Sequence, residues 1–172
     1  MRQKKWWTGI GLLLAVSLLL SCSLPKREAQ AQLSVLRQMT FEALLEWERE
    51  GITYACIVRW EGDRVTDVTY TAPEALCGVE LTRAEEGYCL RRGDWVIGSD
   101  GEHWPGLLLP WRLTEAIRGE LQERRRLEDG AEWVMREEQT GEPVTVTLGK
   151  DGALRMLSGE GVTVRVTKFR GA

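Results

Sequence analysis

Four cysteines and a single histidine are the side chains in this sequence with nucleophilic or metal-ligating chemistry, and their spacing decides what they can do. Cys56, Cys77 and Cys89 contain no Cys-x-x-Cys pair, which sets aside a dithiol redox site or a zinc site. His103 lies in Gly101-Glu-His-Trp-Pro105. Serines and acids are plentiful enough for a Ser-His-Asp site, but no Gly-x-Ser-x-Gly elbow exists, so an exposed loop histidine is the preferred reading. Asp94, Asp100 and Glu102 crowd one segment without the ligand spacing or the glycine of a calcium loop. Gly159 and Gly161 precede no helix and read as a β-turn, not a phosphate cradle. Cys22 differs from the others: it follows the basic start Arg2, Lys4 and Lys5 and an apolar run from Ile10 to Leu20.

A charged start, a short apolar stretch and a small residue before a cut describe an export signal. Residues 1–21 have all three, and Leu19-Leu20-Ser21-Cys22 resembles a bacterial lipobox. That resemblance implies that the Cys22 sulfur carries a diacylglyceryl group and becomes the first residue of the mature chain. The alternative is an uncleaved anchor, but the apolar run is shorter than the ~20 residues needed to span a bilayer. The expected organisation is a signal over 1–21, the lipidated cysteine and a polar tether over 22–30, and one domain over 31–172. Two lipid chains on one residue meet the usual requirement for stable anchoring. The expected location is therefore the extracytoplasmic face of a membrane.

Charge narrows the partners. Three of the 23 basic residues and none of the 26 acidic ones precede Cys22, so the remaining 151 residues carry a formal charge of −6. Nucleic acid is excluded on that ground, because phosphate binding needs a basic footprint. The same net charge argues against attraction to anionic lipid as a second anchor. Three cysteines then remain in an exported domain. They read as small, partly buried apolar residues, with one disulfide as the alternative.

The aromatic residues form the one set arranged to bind something. Phe41, Ala43, Leu45 and Trp47 alternate with polar residues and Leu44, the period of a half-buried strand. A two-residue turn at Glu50-Gly51 pairs this strand with the next: Trp47 with Tyr54, Leu45 with Cys56, Ala43 with Val58 and Phe41 with Trp60 on one face. Leu44 with Ile57 and Glu42 with Arg59 fall on the other. Each such cross-strand pair contributes roughly 0.2–1 kcal/mol. Glu50 is the weak point, since type I′ turns favour Asn, Asp or Gly there. A three-residue loop at Glu61–Asp63 extends the face to a third strand, with Cys56 opposite Val68 and Tyr54 opposite Tyr70. Phe41, Trp47, Tyr54, Trp60 and Tyr70 then share a side, either as ordinary core or as the lining of a concave apolar pocket. Trp104 and Trp111 are placed to close its mouth or to sit at the membrane interface beside the anchor.

The remaining elements follow from periodicity and punctuation. Residues 29–39 make a short helix with Leu33 and Leu36 on one side. Ala72-Pro73 ends the third strand, and 73–76 forms one helical turn. Val79–Arg83 and Tyr88–Arg92 form a hairpin around a four-residue loop, pairing Leu81 with Leu90 and Glu80 with Arg91. Residues 95–97 add a short strand, and 99–110 read as a loop. Leu113, Ala116, Ile117, Leu121 and Arg124 recur at helical spacing, predicting a helix over 113–127 whose last turn, Arg124-Arg125-Arg126, complements the helix dipole. Residues 131–137, 144–148, 153–157 and 162–166 are strands, the last three joined by three-residue loops at 150–152 and 159–161. In that register Leu148 faces Leu154, Val146 faces Met156, and Met156 and Leu154 face Val164 and Val166.

The fold class expected is α+β: an antiparallel sheet with one N-terminal and one central helix. Phe41-Glu-Ala, Thr71-Ala-Pro73-Glu-Ala-Leu-Cys-Gly78, Gly87-Tyr88-x-Leu90 and Gly141-x-x-Val144-x-Val146 through Gly152-x-Leu154 carry a resemblance to the LolA/LolB fold and to small LolA-like lipoproteins of clostridial-type bacteria. The resemblance implies a curved, unclosed half-barrel whose concave side is partly covered by helices, and a capacity to bind lipid acyl chains. The family has no short binding signature, so it assigns no contact residue. The expectation is a lipid-anchored, non-enzymatic protein without cofactor or metal that holds an apolar ligand. The alternatives are an accessory module of an envelope complex with a filled core, and last an esterase using His103.

Overall fold

The computed structural model describes residues 31–101, 104–137 and 140–171. The expected signal over 1–21, Cys22, the expected tether over 22–30, Glu102 and His103 lie outside the described residues. The domain treated below begins at Val35.

Residues 31–38 are helical (α1), as expected. Eleven strands follow, broken by one helix. They are β1 (Phe41–Arg49), β2 (Ile52–Glu61), β3 (Arg64–Ala72), β4 (Glu80–Ala84), β5 (Gly87–Arg92) and β6 (Trp95–Ser99). After α2 (Pro105–Glu115) come β7 (Glu120–Leu127), β8 (Gly130–Arg136), β9 (Pro143–Gly149), β10 (Leu154–Gly159) and β11 (Val162–Gly171). Single 3-10 turns occupy Glu74–Leu76 and Ala116–Arg118. All strands join one antiparallel sheet in the order β6-β5-β4-β3-β2-β1-β11-β10-β9-β8-β7. The sheet does not close: β6 and β7 are its two edges, and the first and last strands meet at its centre. The α+β class and the unclosed antiparallel sheet are as the sequence predicts.

The sheet must curl. Tyr88 on β5 packs edge-on against Trp111 of α2, ring centroids 5.4 Å apart, while the 3-10 turn that extends α2 touches β8. Eight strand spacings separate β5 from β8, about 38 Å if flat at ~4.8 Å each. The helix and its 3-10 turn together are only about 22 Å long. Both contacts require the sheet to bend around the helix.

Two-residue turns set the registers. The β1–β2 ladder runs from Arg49↔Ile52 to Phe41↔Trp60, every pair as predicted. Its turn places Glu50 at φ 55° and Gly51 at φ 76°, the pair of positive φ values that type I′ requires. A left-handed glutamate costs about 1–2 kcal/mol, and the full-length ladder on either side outweighs it. The turns at Gly62-Asp63 and Glu160-Gly161 have the same positive φ values. They correct the two three-residue loops expected there. Glu61 pairs with Arg64, and a bulge at Thr66 then sets Cys56 opposite Tyr70 and Val58 opposite Val68. The partners move two places along the strand, so each side chain keeps its predicted face. The slip in the last hairpin is one residue, which exchanges faces. Leu157 pairs with Val164 and Val146 and is buried, while Met156 pairs with Arg165 and Thr147. Leu148↔Leu154 holds across the three-residue loop at 150–152. In the β4–β5 hairpin Leu81↔Leu90 and Glu80↔Arg91 also hold, and Ala84↔Gly87 closes the loop to two residues.

The central helix is the main correction. It spans Pro105–Glu115, not 113–127, and 120–127 is the edge strand β7. Pro105 occupies the first helical turn, where a missing N–H is tolerated. Pro110 sits inside the helix, where it lacks the N–H that would donate to the Gly106 carbonyl. Gly119 stops the helical run because β8 passes beside it: a Cβ there would collide with the Arg136 carbonyl oxygen. Leu121 and Arg124 thus share the helical spacing of Leu113 and Ile117 by coincidence. The arginine run lies in a strand, where Arg125 reaches Glu123 at 2.9 Å and Glu132 at 3.6 Å.

Arg37 fastens this exit. Its Nε donates to the Ile117 carbonyl at 2.9 Å, and Nη2 donates to the carbonyls of Arg118 at 2.7 Å and Gly119 at 2.6 Å. These are the orphan acceptors at a helix end. Arg37→Ala is expected to lower stability by about 2–4 kcal/mol, since charge-assisted bonds contribute about 1.5–3 kcal/mol each and are not additive. Urea unfolding should show a lower midpoint at unchanged slope, with partial recovery in Arg37→Lys, whose ammonium cannot fork.

Candidate functional site

The five aromatic residues of the predicted face do stand on the concave side, but in two environments. Phe41, Trp47, Trp60 and Tyr70 are buried and Tyr54 is half-buried. Phe41 stacks on Trp60 at 5.6 Å and meets Phe169 at 5.0 Å. The Trp60 indole donates to the Arg37 carbonyl at 3.1 Å, and the Tyr70 hydroxyl donates to the Leu107 carbonyl on α2 at 2.6 Å. Both polar tips are thereby satisfied inside the protein, as burial demands. Burial raises the Tyr70 hydroxyl pKa above its ordinary value, so it stays a donor. α2 fills the space beneath them with Leu108, Leu109, Trp111 and Leu113, all buried.

Trp47 and Tyr54 have open space beside them. They stack at 5.3 Å with 12° between planes, at the β1–β2 end of the sheet, and Tyr70 meets Trp47 edge-on at 6.4 Å. A cleft of about 390 Å³ opens there. Its walls are Trp47 and Tyr54, Leu76 of the 3-10 turn, and Trp104, Leu107 and Leu109 from the start of α2. Arg49 and Glu50 mark the rim, 3.9 Å apart and largely exposed. Pro105 and Gly106 at the helix start also line the cleft. A Cβ on Gly106 would meet nothing within 4 Å, so the missing side chain is part of the empty volume. Its size falls within the ~300–1,000 Å³ of small-molecule sites, and its exposed lining is polar and apolar in similar measure, which suits an amphipathic guest.

Of the two tryptophans expected at the mouth, Trp104 lines the cleft and Trp111 is wholly buried. Sequence reasoning missed Leu76, Gly106, Leu107 and Leu109. The signal available was Pro105-Gly106-Leu-Leu-Leu, an N-terminal proline before an apolar run. A second hollow of about 540 Å³ involves Leu127, Leu148, Asp129, Lys150, Asp151 and Arg155. Lys150–Asp129 at 3.3 Å and Arg155–Asp151 at 2.6 Å pair its charges with one another. Among the described residues no group of three or more His, Cys, Asp or Glu is arranged to hold a metal ion.

Cys56, Cys77 and Cys89 are all free. Cys56 is buried among the inward side chains of β1 and β3, and burial pushes its thiol well above the ordinary range. Cys77 is exposed, which departs from the partly buried position expected of it.

No family model matches the chain, and no curated protein does. Solved structures do. An uncharacterized conserved protein from Thermus thermophilus aligns at TM-score 0.52 with 13% identity, over 86% of this chain and 88% of that one. The Pseudomonas aeruginosa MucA/MucB complex aligns at TM-score 0.36 with 14% identity, over 84% of this chain and 56% of that one. A LolA superfamily protein from Nitrosomonas europaea aligns at TM-score 0.36 with 8% identity, over 78% and 86%. At these identities the likeness to the Thermus protein concerns the fold alone.

The thiols provide a direct check on the packing. Since the thiolate is the reactive form, Cys77 should be alkylated by iodoacetamide at the rate of an exposed thiol. Cys56 should react only as the protein unfolds. Peptide mass spectrometry along a urea series reads both, and equal rates in native buffer would contradict the filled interior.

Proposed function

We propose that this protein is an exported, lipid-anchored, non-enzymatic domain that holds an apolar or amphipathic ligand in the cleft between the β1–β2 end of the sheet and the start of α2. The observation that carries the reading is the cleft itself: stacked Trp47 and Tyr54 face Trp104, Leu107 and Leu109 across space that no side chain fills among the described residues. The ligand chemistry is a lipid acyl chain or a molecule of similar shape. Each methylene that enters contributes about 0.8 kcal/mol, so micromolar binding, about 8 kcal/mol, needs roughly ten buried methylenes of such a chain. The Cys22 lipobox supports anchoring at the extracytoplasmic membrane face, and the acidic sequence supports a partner other than nucleic acid.

One observation favours a second reading. Trp60, Trp111 and Trp133 are fully buried, so the concave face is packed rather than hollow. An accessory module of an envelope complex needs no interior cavity.

Two measurements separate these readings. Full-length protein purified from membranes should carry a diacylglyceryl mass on Cys22, and native mass spectrometry with lipid extraction should recover an exchangeable apolar ligand. Gly106→Leu places an isobutyl group in the cleft and raises helix propensity. It should weaken binding of a fluorescent fatty acid roughly tenfold, equivalent to two displaced methylenes at about 0.8 kcal/mol each, while stability holds or rises. Unchanged binding by this variant, or repeated recovery of a protein partner with no apolar ligand, would remove the carrier reading.

A further inference from the structure

The two edges of the sheet are built differently. β7 carries Glu120, Glu123, Arg124, Arg125 and Arg126, the charged type of edge that resists pairing with other chains. β6, Trp95-Val-Ile-Gly-Ser99, carries no charge at all. Trp95 is 78% exposed, Val96 59% and Ile97 55%. Consecutive strand residues point to opposite faces. Trp95 and Ile97 therefore stand on the side of Leu90 and Val96 on the other, so this edge is apolar on both faces. Alternation would have sufficed to cover a core. An edge greasy on both sides suits immersion in an apolar medium.

Cations stand directly beside it. Arg92 pairs with Trp95 and Arg91 with Val96 across the β5–β6 ladder, and both arginines are exposed. Arg92 gives one N–H to the Ala75 carbonyl at 2.9 Å, which leaves donors on its guanidinium. Asp94, at the turn, is the one acid between Gly87 and Ser99, and Glu80 faces Arg91 from β4. Arg91 and Arg92 against Asp94 and Glu80 leave this edge close to neutral within an acidic chain. Tryptophan and arginine together at one strand end match the bilayer interface, where indoles sit at headgroup level and arginines reach phosphate.

We propose that the β5–β6 edge is a membrane-contact surface, in which Trp95, Val96 and Ile97 enter the interface of an anionic phospholipid bilayer and Arg91 and Arg92 bind its phosphates. This rests on the lipid-anchored reading in one respect. Thirteen residue steps separate Cys22 from Val35, so an anchored domain stays within about 45 Å of the membrane. At that range a weak contact is sufficient, because the tether supplies the effective concentration.

The test uses the full-length protein reconstituted in vesicles of phosphatidylcholine, alone or mixed with phosphatidylglycerol, with bromine on the acyl chains to quench tryptophan on contact. Quenching is expected in the mixed vesicles, and the Trp95 share is read as the difference between the protein and Trp95→Phe, which cancels any quenching of Trp6, Trp7 and the cleft-lining Trp47 and Trp104. Arg91→Gln and Arg92→Gln should each reduce the contact equilibrium roughly fivefold, the equivalent of about 1 kcal/mol per cation. Quenching that Trp95→Phe leaves intact overturns the proposal. So does cross-linking that shows β6 covered by a second copy or by another protein while Trp95 stays unquenched. The mass of the Cys22 peptide is read in parallel. Unlipidated protein whose Trp95 is still quenched on added vesicles sustains this surface and removes the anchor. Lipidated protein with unquenched Trp95 does the reverse.

Discussion

The fold depends on one crossing. β6 and β7 are opposite edges of the sheet, yet only Asp100–Gly119 joins them in sequence. That segment can reach from edge to edge only if the sheet bends toward it, and it can lie inside the bend only if it is apolar. α2 meets both conditions: Leu108, Leu109, Trp111 and Leu113 turn inward, and Thr114 returns its hydroxyl to the Pro110 carbonyl at 2.8 Å. Burying such side chains contributes about 1.5–3 kcal/mol each. Bending the sheet and filling it are therefore a single event, held at one end by Arg37 and in the middle by the Tyr70 hydroxyl on Leu107.

The cleft is where that filling stops. At the helix start Pro105 and Gly106 offer little bulk, and the sheet beyond them still presents two aromatic rings. The result is a cleft of mixed polar and apolar lining at the end of a packed core. A ligand would reach Trp47 and Tyr54 without displacing Trp60, Trp111 or Trp133. The exposed β6 edge is a separate surface, since no residue of that strand lines the cleft. A surface for a bilayer beside a cleft for an apolar molecule makes physical sense in one domain, because such molecules reside in bilayers.

The sequence was most legible where two constraints coincided. In the β1–β2 hairpin, turn length and the alternation of Phe41, Leu45 and Trp47 select one register, so each pair could be written in advance. In the β10–β11 hairpin alternation is weaker: Met156, Leu157 and Val164 are all apolar, and counting Gly159 into the turn moved Met156 into the core in place of Leu157. The helix was misplaced because two prolines in six residues look like punctuation, while Leu113, Ala116 and Ile117 continue by accident into Leu121 and Arg124. Gly119 was the local stop signal, and β8 passing beside it leaves no room for a side chain there. The site shared this fate. Its sheet wall was visible as paired aromatics, and its helix wall was hidden inside the misread loop.

The central claim is that the concave face is closed by α2 and that binding is confined to its open end. The tryptophan indoles report on this directly. In an NMR titration of the full-length protein with a fatty acid, the Trp47 and Trp104 indole resonances should shift, while those of Trp60, Trp111 and Trp133 hold still. Movement of Trp60 and Trp133 together with the cleft pair would mean that the helix lifts and the ligand enters the interior, and the account would fail.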